Sequence, residues 1–507
     1  MVGRSSMLIL WENSYLCLSD MRFVKDNITD RIKMMPMAVV AALFAVGIVF
    51  VEYVALPMWL VIALSLLLLS GAIVVRGAVQ RISILLLICS LGMVLHSMTF
   101  GGDIPYGKAL EMELRITSSS VVRGRSSRAE AVVRRCEENA LEGRKVVVWS
   151  DTLLHLSAHD RVVLSGEVRP FSDRYEGYAE LMRHRGFVGS VSLYSSSPFV
   201  LEPAACGSLH DWAVARLRGR IGEGDARAVI LAMTTGERSE LSPALRHAYS
   251  LTGTSHLLAV SGLHIGIVFM LINTLLLPLL MLRYGNVVRS LLAIVLIWLY
   301  VLLCGAPPSA IRAAIMFSLL QLSLSSLHSY HSLNVLSATA FMMLMLDSHL
   351  VFDISFQLSF IAVAGILLWG VPMYNALRCR LRPLNSIVAV IVVGLVSSVA
   401  TLPLVSHTFG VVSLVGVLLS PIVILLANVV VLSACVALIM PLPPLLAIAE
   451  YAVTLQNRVI AWAQELAWAH FAYTMPEWMV ILLYVVFVVL TLLLWGIKVD
   501  KRTKIEL

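Results

Sequence analysis

Between Tyr249 and Ile267 the chain reads YSLTGTSHLLAVSGLHIGI. His256, Ser261 and His264 stand inside an otherwise apolar run, with Gly262 and Gly266 beside them. Imidazole and hydroxyl groups can exchange protons or hold a polar solute. The glycines let another backbone come close. On a helix begun at the cap-rich Thr252–Ser255, the two histidines lie eight residues apart and share one side. Such a stripe is costly against lipid, so it should face protein or water. The plainer reading is helix-packing glue, with Ser and Gly drawing membrane helices together.

Three more polar groups interrupt apolar segments further on. In GAPPSAIRAA two prolines open a span and Arg312 follows one turn inside, either as a snorkelling anchor or as a functional cation. In FDISFQLSF, Asp353 and Gln357 are four apart and share a helix face, although Asp353 is equally suited to an N-cap. In TLPLVSHTFG, His407 stands at a helix end. No metal-ligand spacing occurs, since His155 and His159 with Asp160 lack the further ligands of a dinuclear site. Gly222-Glu-Gly-Asp lacks the GK[ST] of a phosphate loop. No nucleophile stands with an evident base, so neither a cofactor nor an enzyme is expected.

These residues need a bilayer to position them. A chain of 507 residues with 59% hydrophobic and 14% charged residues and a mean hydropathy of +0.87 is a polytopic α-helical membrane protein. The net charge of +7 is small for this size and says little about nucleic acid. Residues 1–33 lack the pattern of a signal peptide, and Met21 or Met34 could be the true start. Three spans are predicted at about 35–54, 57–75 and 82–99, and basic residues before the first put the N-terminus in the cytoplasm. Residues 1–103 thus form a first membrane segment and 104–205 an exported domain. Residues 206–255 read as amphipathic helices on the outer membrane surface, and 256–507 as a second polytopic domain.

Within that second domain, spans are expected at about 256–282, 289–305, 309–327, 334–347, 354–371, 386–406 and 477–497. Arg283, Arg289, Arg378, Arg380, Arg382, Lys498, Lys501 and Arg502 mark cytoplasmic loops and a cytoplasmic C-terminus. Residues 411–440 read as a re-entrant pair broken at Ser420-Pro421. Residues 443–470, with Glu450, Arg458 and Glu465, then lie in the outer interface.

The exported segment alternates apolar and polar residues in about five short runs, as a small all-β, OB-like barrel would. An OB fold suggests single-stranded nucleic acid. Arg123, Arg125 and Arg128 could meet phosphates, and Trp149 could stack on a base or fill the barrel core. Acidic residues nearly balance the arginines. Cys136 and Cys206 are the only cysteines in this segment, and either a disulfide or two free thiols is open to them.

The string HLLAVSGLHIGIV resembles the signature of the ComEC competence family, the inner-membrane channel of bacterial DNA uptake. The PSAIRA, FDISFQLSFIAVAG and LPL…FG runs follow in the family's order, so the resemblance covers roughly 205–440. It implies an OB-like domain at 104–205 and a channel passing single-stranded DNA inward during natural transformation. His256, Ser261, His264, Arg312, Asp353, Gln357 and His407 would line or shape the DNA path. The implied partners are single-stranded DNA and membrane lipid, a periplasmic DNA receptor, cytoplasmic DNA-handling or motor proteins, and a further copy of the chain. Many members carry a metallo-β-lactamase-like domain. No HxHxDH string occurs here, so a short form served by a separate nuclease is expected. The rival reading is a secondary transporter of a small anionic solute, which broken helices would suit but a large exported barrel would not.

Overall fold

The computed structural model describes residues 35–496. The exceptions are 55, 101–103, 124–125, 151–155, 157–159, 172–177, 194–198, 203–207, 326–330, 380–381, 441 and 467–469. It divides into two compact units, one formed by 42–212 with 342–356, the other by the rest of the chain.

The first unit begins with three apolar helices, α1 (Pro36–Tyr53), α2 (Met58–Val74) and α3 (Ala78–Phe100). Glycines let α1 and α3 touch backbone to backbone. A Cβ on Gly47 would collide with the Cys89 carbonyl, and one on Gly92 with that of Phe44. Beyond α3 the chain forms β1 (Ala109–Arg123), β2 (Ser126–Cys136), β3 (Lys145–Ser150), β4 (Arg161–Glu167), a helix α4 (Tyr178–His184), β5 (Phe187–Leu193) and β6 (Phe199–Glu202).

The sheet order is β5-β3-β2-β1-β4-β6, with β3 and β5 parallel and the other pairs antiparallel. Just after β4, Arg169 exchanges backbone hydrogen bonds with Ser190 of β5, at 2.9 and 2.8 Å, which brings the two sides of the sheet round to each other. The period-two pattern explains the core. Leu110, Met112, Leu114 and Ile116 of β1 face inward with Ala131, Val146, Val162 and Val191 of the neighbouring strands. Five strands fall on the runs expected from sequence, and β6 is an additional edge.

The second unit is helical. It contains α5 (Leu209–Arg218), α6 (Asp225–Thr234), α7 (Pro243–Leu251), α8 (Gly262–Leu275), α9 (Gly285–Leu303), α10 (Pro308–Ser325) and α11 (Ser332–Leu346), whose last turn belongs to the first unit. Then come α12 (Ile354–Gly365), α13 (Val371–Leu377), α14 (Arg382–Phe409), β7 (Val411–Ser413), α15 (Leu414–Ile439), α16 (Pro443–Gln464), β8 (His470–Ala472) and α17 (Glu477–Gly496). Among the described residues, six helical stretches are long and apolar enough to cross a membrane: Pro36–Tyr53, Ala78–Met98, Gly285–Leu303, Ile354–Leu377, Ile387–Phe409 and Val415–Ile439. The protein is a multi-pass membrane protein.

Two expectations are overturned by the structure. Helix α6 does not lie on a surface: Ala228 to Thr234 are buried without exception, as the apolar run from Ala228 to Met233 demands. Its packing partners are α15 and α16. Helix α15 is not broken at Ser420-Pro421. It runs unbroken for 26 residues with Pro421 early in its length, and the Ser420 hydroxyl bonds back to the Gly416 carbonyl. Residues 443–470, expected in the outer interface, begin with α16, which the structure sets against its neighbour in sequence. Helix α16 packs along α15 through Leu446, Ala449, Val453, Ile460 and Ala463, and β7 pairs with β8, so the hairpin closes where it began.

Candidate functional site

The HLLAVSGLHIGIV and PSAIRA strings meet in the second unit around two tight turns. Gly253 has φ +69, and a side chain there would press on Ser413. A Cβ on Gly416 would sit 2.6 Å from the Thr252 carbonyl oxygen, so the turn after α7 is seated on the first turn of α15. Ser413 caps that helix, accepting from the Gly416 amide at 3.0 Å. Thr252 and Thr254 are fully buried, and their hydroxyls bond to each other at 3.0 Å.

The second turn ends α9. Gly305 and Ala306 both adopt left-handed backbone (φ 74 and 50) before Pro307 and Pro308 restart the chain as α10. For alanine that conformation is strained, and strain of this kind collects at functional sites. Ser309 donates to the Val260 carbonyl at 2.6 Å. Gly262 lies against Ala313, Gly266 against Phe317, and Phe269 stacks on Phe317 at 4.7 Å. Small residues thus hold α8 and α10 in a tight seam, and Arg312, only 4% exposed, is carried by α10 beside it.

The expected histidine stripe does not form as one helix face. Residues Ser255–Leu258 make a 3-10 turn, Ala259 is extended, and α8 starts only at Gly262. A helix of 14 residues followed by a separate 3-10 turn at Leu277–Met281 replaces the span expected at 256–282. His256 is therefore exposed on the turn, while His264 is fully buried in the first turn of α8. Ser261 is the N-cap, and His264 reaches back so that its Nδ1 accepts from the Ser261 amide at 3.3 Å. That bond assigns the proton of a neutral imidazole to Nε2. This Nε2 is enclosed with no hydrogen-bond partner among the described residues. A buried donor left this way is costly and asks for a functional reason.

The remaining candidates are placed as follows. Asp353 accepts from the Phe356 amide at 2.8 Å and so caps α12, with Gln357 half-buried one turn on. Arg312 and Asp353 belong to different units. His407 is exposed and bonds through Nδ1 to the Met475 carbonyl at 2.9 Å, while Ser406 donates to that of Tyr473. This pair fastens α14 to the chain leading into α17. On the β-sheet, Arg128 lies opposite Trp149 with its guanidinium 6.0 Å from the ring centre, and also 3.5 Å from Glu130. Arg123 ends β1, whereas Arg125 lies outside the described residues. Arg161 is held between Glu113 and Glu202. Cys136 carries a free thiol, and Cys206 lies outside the described residues.

Two groups escape sequence reasoning. Thr234 and Thr235, fully buried where α6 ends, join the polar core through Tyr300, whose hydroxyl donates to the Thr234 carbonyl at 3.2 Å. The unbroken apolar run of α6 ending in Thr-Thr-Gly was the available signal. In the first unit, His96 bonds to Glu52 at 3.0 Å and to Ser348 at 2.8 Å. These three lie far apart in the chain, and no spacing foretells their meeting.

No solved structure matches the chain. ComE operon protein 3 of Bacillus subtilis (strain 168) is 29% identical over 195 residues, 38% of this chain and 24% of that protein. An uncharacterized protein of Aquifex aeolicus (strain VF5) is 30% identical over 241 residues, 47% of this chain and 53% of its own length. The aligned parts thus span about a quarter and about half of these relatives. The family model described as Competence protein matches residues 233–498, which takes in both tight turns, the α8–α10 seam and the α15–α16 hairpin. More than half of the chain is covered by that match, and the chain belongs to the Competence protein family.

Proposed function

We propose that this protein acts in DNA uptake during competence, as the membrane channel passing single-stranded DNA into the cytoplasm. The observation that carries the reading is the buried polar core of the family-matched region. Thr234, Thr252, Thr254, His264 and Arg312 are withdrawn from solvent within a bundle of apolar helices. A phosphate backbone needs a polar, cation-bearing route that is indifferent to base sequence. The buried Arg312 supplies charge and the His264 Nε2–H a hydrogen bond, with His256 and Ser261 at the entrance to α8. Gln357 and His407 hold the helices in place around this route.

The sheet domain is read as exported and OB-like, a reading supported by the parallel β3–β5 pair and the return of β4 to β5. Arg128 and Trp149 are then its contacts to a strand, together with Arg123 and Arg125. A periplasmic DNA receptor would deliver the strand, and a cytoplasmic motor would draw it in. The short α8 with a polar N-terminus would also suit a transporter of a small anion.

The test is a deletion strain given labelled transforming DNA, with protected DNA counted separately in periplasm and cytoplasm. The expected result is normal periplasmic uptake and no cytoplasmic label, restored by the full chain. Unimpaired cytoplasmic entry in the deletion strain would overturn the channel reading.

A further inference from the structure

Three side chains from distant parts of the first unit stand in a row. Ser348 opens the 3-10 turn Ser348–Phe352 after α11, His96 lies near the end of α3, and Glu52 near the end of α1. The Ser348 hydroxyl is 2.8 Å from His96 Nδ1, and His96 Nε2 is 3.0 Å from a Glu52 oxygen. Ser348 and His96 are each only 2% exposed. An ionised carboxylate only accepts, so the Glu52 contact puts the proton of a neutral His96 on Nε2. Nδ1 then turns its lone pair to the Ser348 hydroxyl, which donates. Hydroxyl, imidazole and carboxylate thus stand in the order and spacing of a nucleophile, its base and the group that orients the base.

The surroundings hold the row in place. The other Glu52 oxygen is 3.7 Å from His184 Nε2, and the His184 ring stacks on Phe352 at 4.8 Å. His349 meets His96 edge-on at 5.3 Å. A network that only tied helices together would need no empty space beside it. Ser348 instead lines a cavity of about 160 Å³, with Leu95, Met345 and Leu346 as an apolar wall. That is about the volume that admits benzene, so it takes an acyl chain of about four to six carbons.

We propose that Ser348 is the nucleophile of an ester-cleaving site, with His96 as its base and Glu52 positioning His96, acting on esters of short aliphatic acids. Ser348 Oγ bonds to the carbonyl carbon while its proton passes to His96 Nδ1. Lys145 also lines the cavity where charge builds on the carbonyl oxygen, and its ammonium gives one of three N–H groups to Asp347 at 2.7 Å. The bond to the alcohol oxygen then breaks, the alcohol leaves with the proton from His96, and the acyl group stays on Ser348. Water repeats the sequence through the same base and frees the acid, so ester and water give acid and alcohol. The activity is independent of the channel reading.

The experiment treats the purified full chain in detergent with diisopropyl fluorophosphate, which forms a phosphorus–oxygen bond with an activated serine as fluoride leaves. Peptide mapping by mass spectrometry should find the adduct on Ser348, and Ser348→Ala should abolish it. His96→Asn, which keeps a polar atom at the Nδ1 position, should slow labelling about a hundredfold or more, the scale of general-base assistance. Glu52→Ala should also slow it and Glu52→Asp recover part of the rate, which a carboxylate that merely fills space would not do. Hydrolysis of p-nitrophenyl butyrate should follow the same order. Mapping the adduct in the parent protein keeps the test decisive should a variant fold poorly. No adduct at Ser348, no hydrolysis of the butyrate, or equal labelling of the parent and His96→Asn would overturn the proposal.

Discussion

Arg312 is the residue on which the channel reading is most exposed to test. An arginine within a spanning helix is disfavoured by about 2.5–3.5 kcal/mol on insertion scales, so it persists where charge is useful or balanced. Arg312→Ala is expected to lower cytoplasmic DNA entry by about tenfold or more while periplasmic uptake and protein level stay normal. Depletion of the protein by Arg312→Ala would instead mark a structural role for the buried cation. His349 permits a second test. Its imidazole ordinarily titrates at 6.5 and is pushed down to about 4 by burial, with Asp347 pulling the other way. Between these values the unfolded chain takes up a proton that the folded one refuses, so stability is full above pH 6.5 and declines as pH falls toward 4. Thermal unfolding of the purified protein across this range should show that decline, and His349→Gln should flatten it.

At the scale of elements, the α1–α3 contact makes a sharp prediction. Gly47→Leu places a side chain where the Cys89 carbonyl stands, so the two helices must separate. The expected outcome is a drop in thermal midpoint and in membrane-inserted protein, read by fluorescence-detected chromatography. Gly77→Ala, with nothing within 4 Å of its Cβ, should be much milder although its φ of +88 still costs some strain. Helices of this kind were readable from apolar length alone, and α1, α2 and α3 formed within a few residues of the expected spans. The β-sheet was readable from its period of two. The breaks were harder. The 256–282 run is apolar enough for one helix, and only the seating of Gly253 on α15 and of Val260 on Ser309 shows why it is interrupted. Likewise Glu450 and Arg458 argued against a helix packed along α15. Arg458 is exposed and Glu450 half-buried, while the face that packs is built of small and aliphatic residues.

For the whole molecule, the expected orientation rests on charge, since basic residues gather in loops that should face the cytoplasm. Reporter fusions after Ser150, Arg378 and Gly496 are expected to read outside, inside and inside. An inside signal at Ser150 would reverse the direction of transport proposed above. The closed α15–α16 hairpin has a further consequence in time. Helix α6 is complete at Thr234, yet the helices that enclose it end at Ile439 and Gln464. At translation speeds of roughly 5–20 residues per second, its apolar surface waits on the order of ten to fifty seconds for its partners. During that interval α6 is too short to span the bilayer and its Ala228–Met233 run stays uncovered, so biogenesis of this protein should depend on an insertase or holding chaperone that releases it only after β8 has been made.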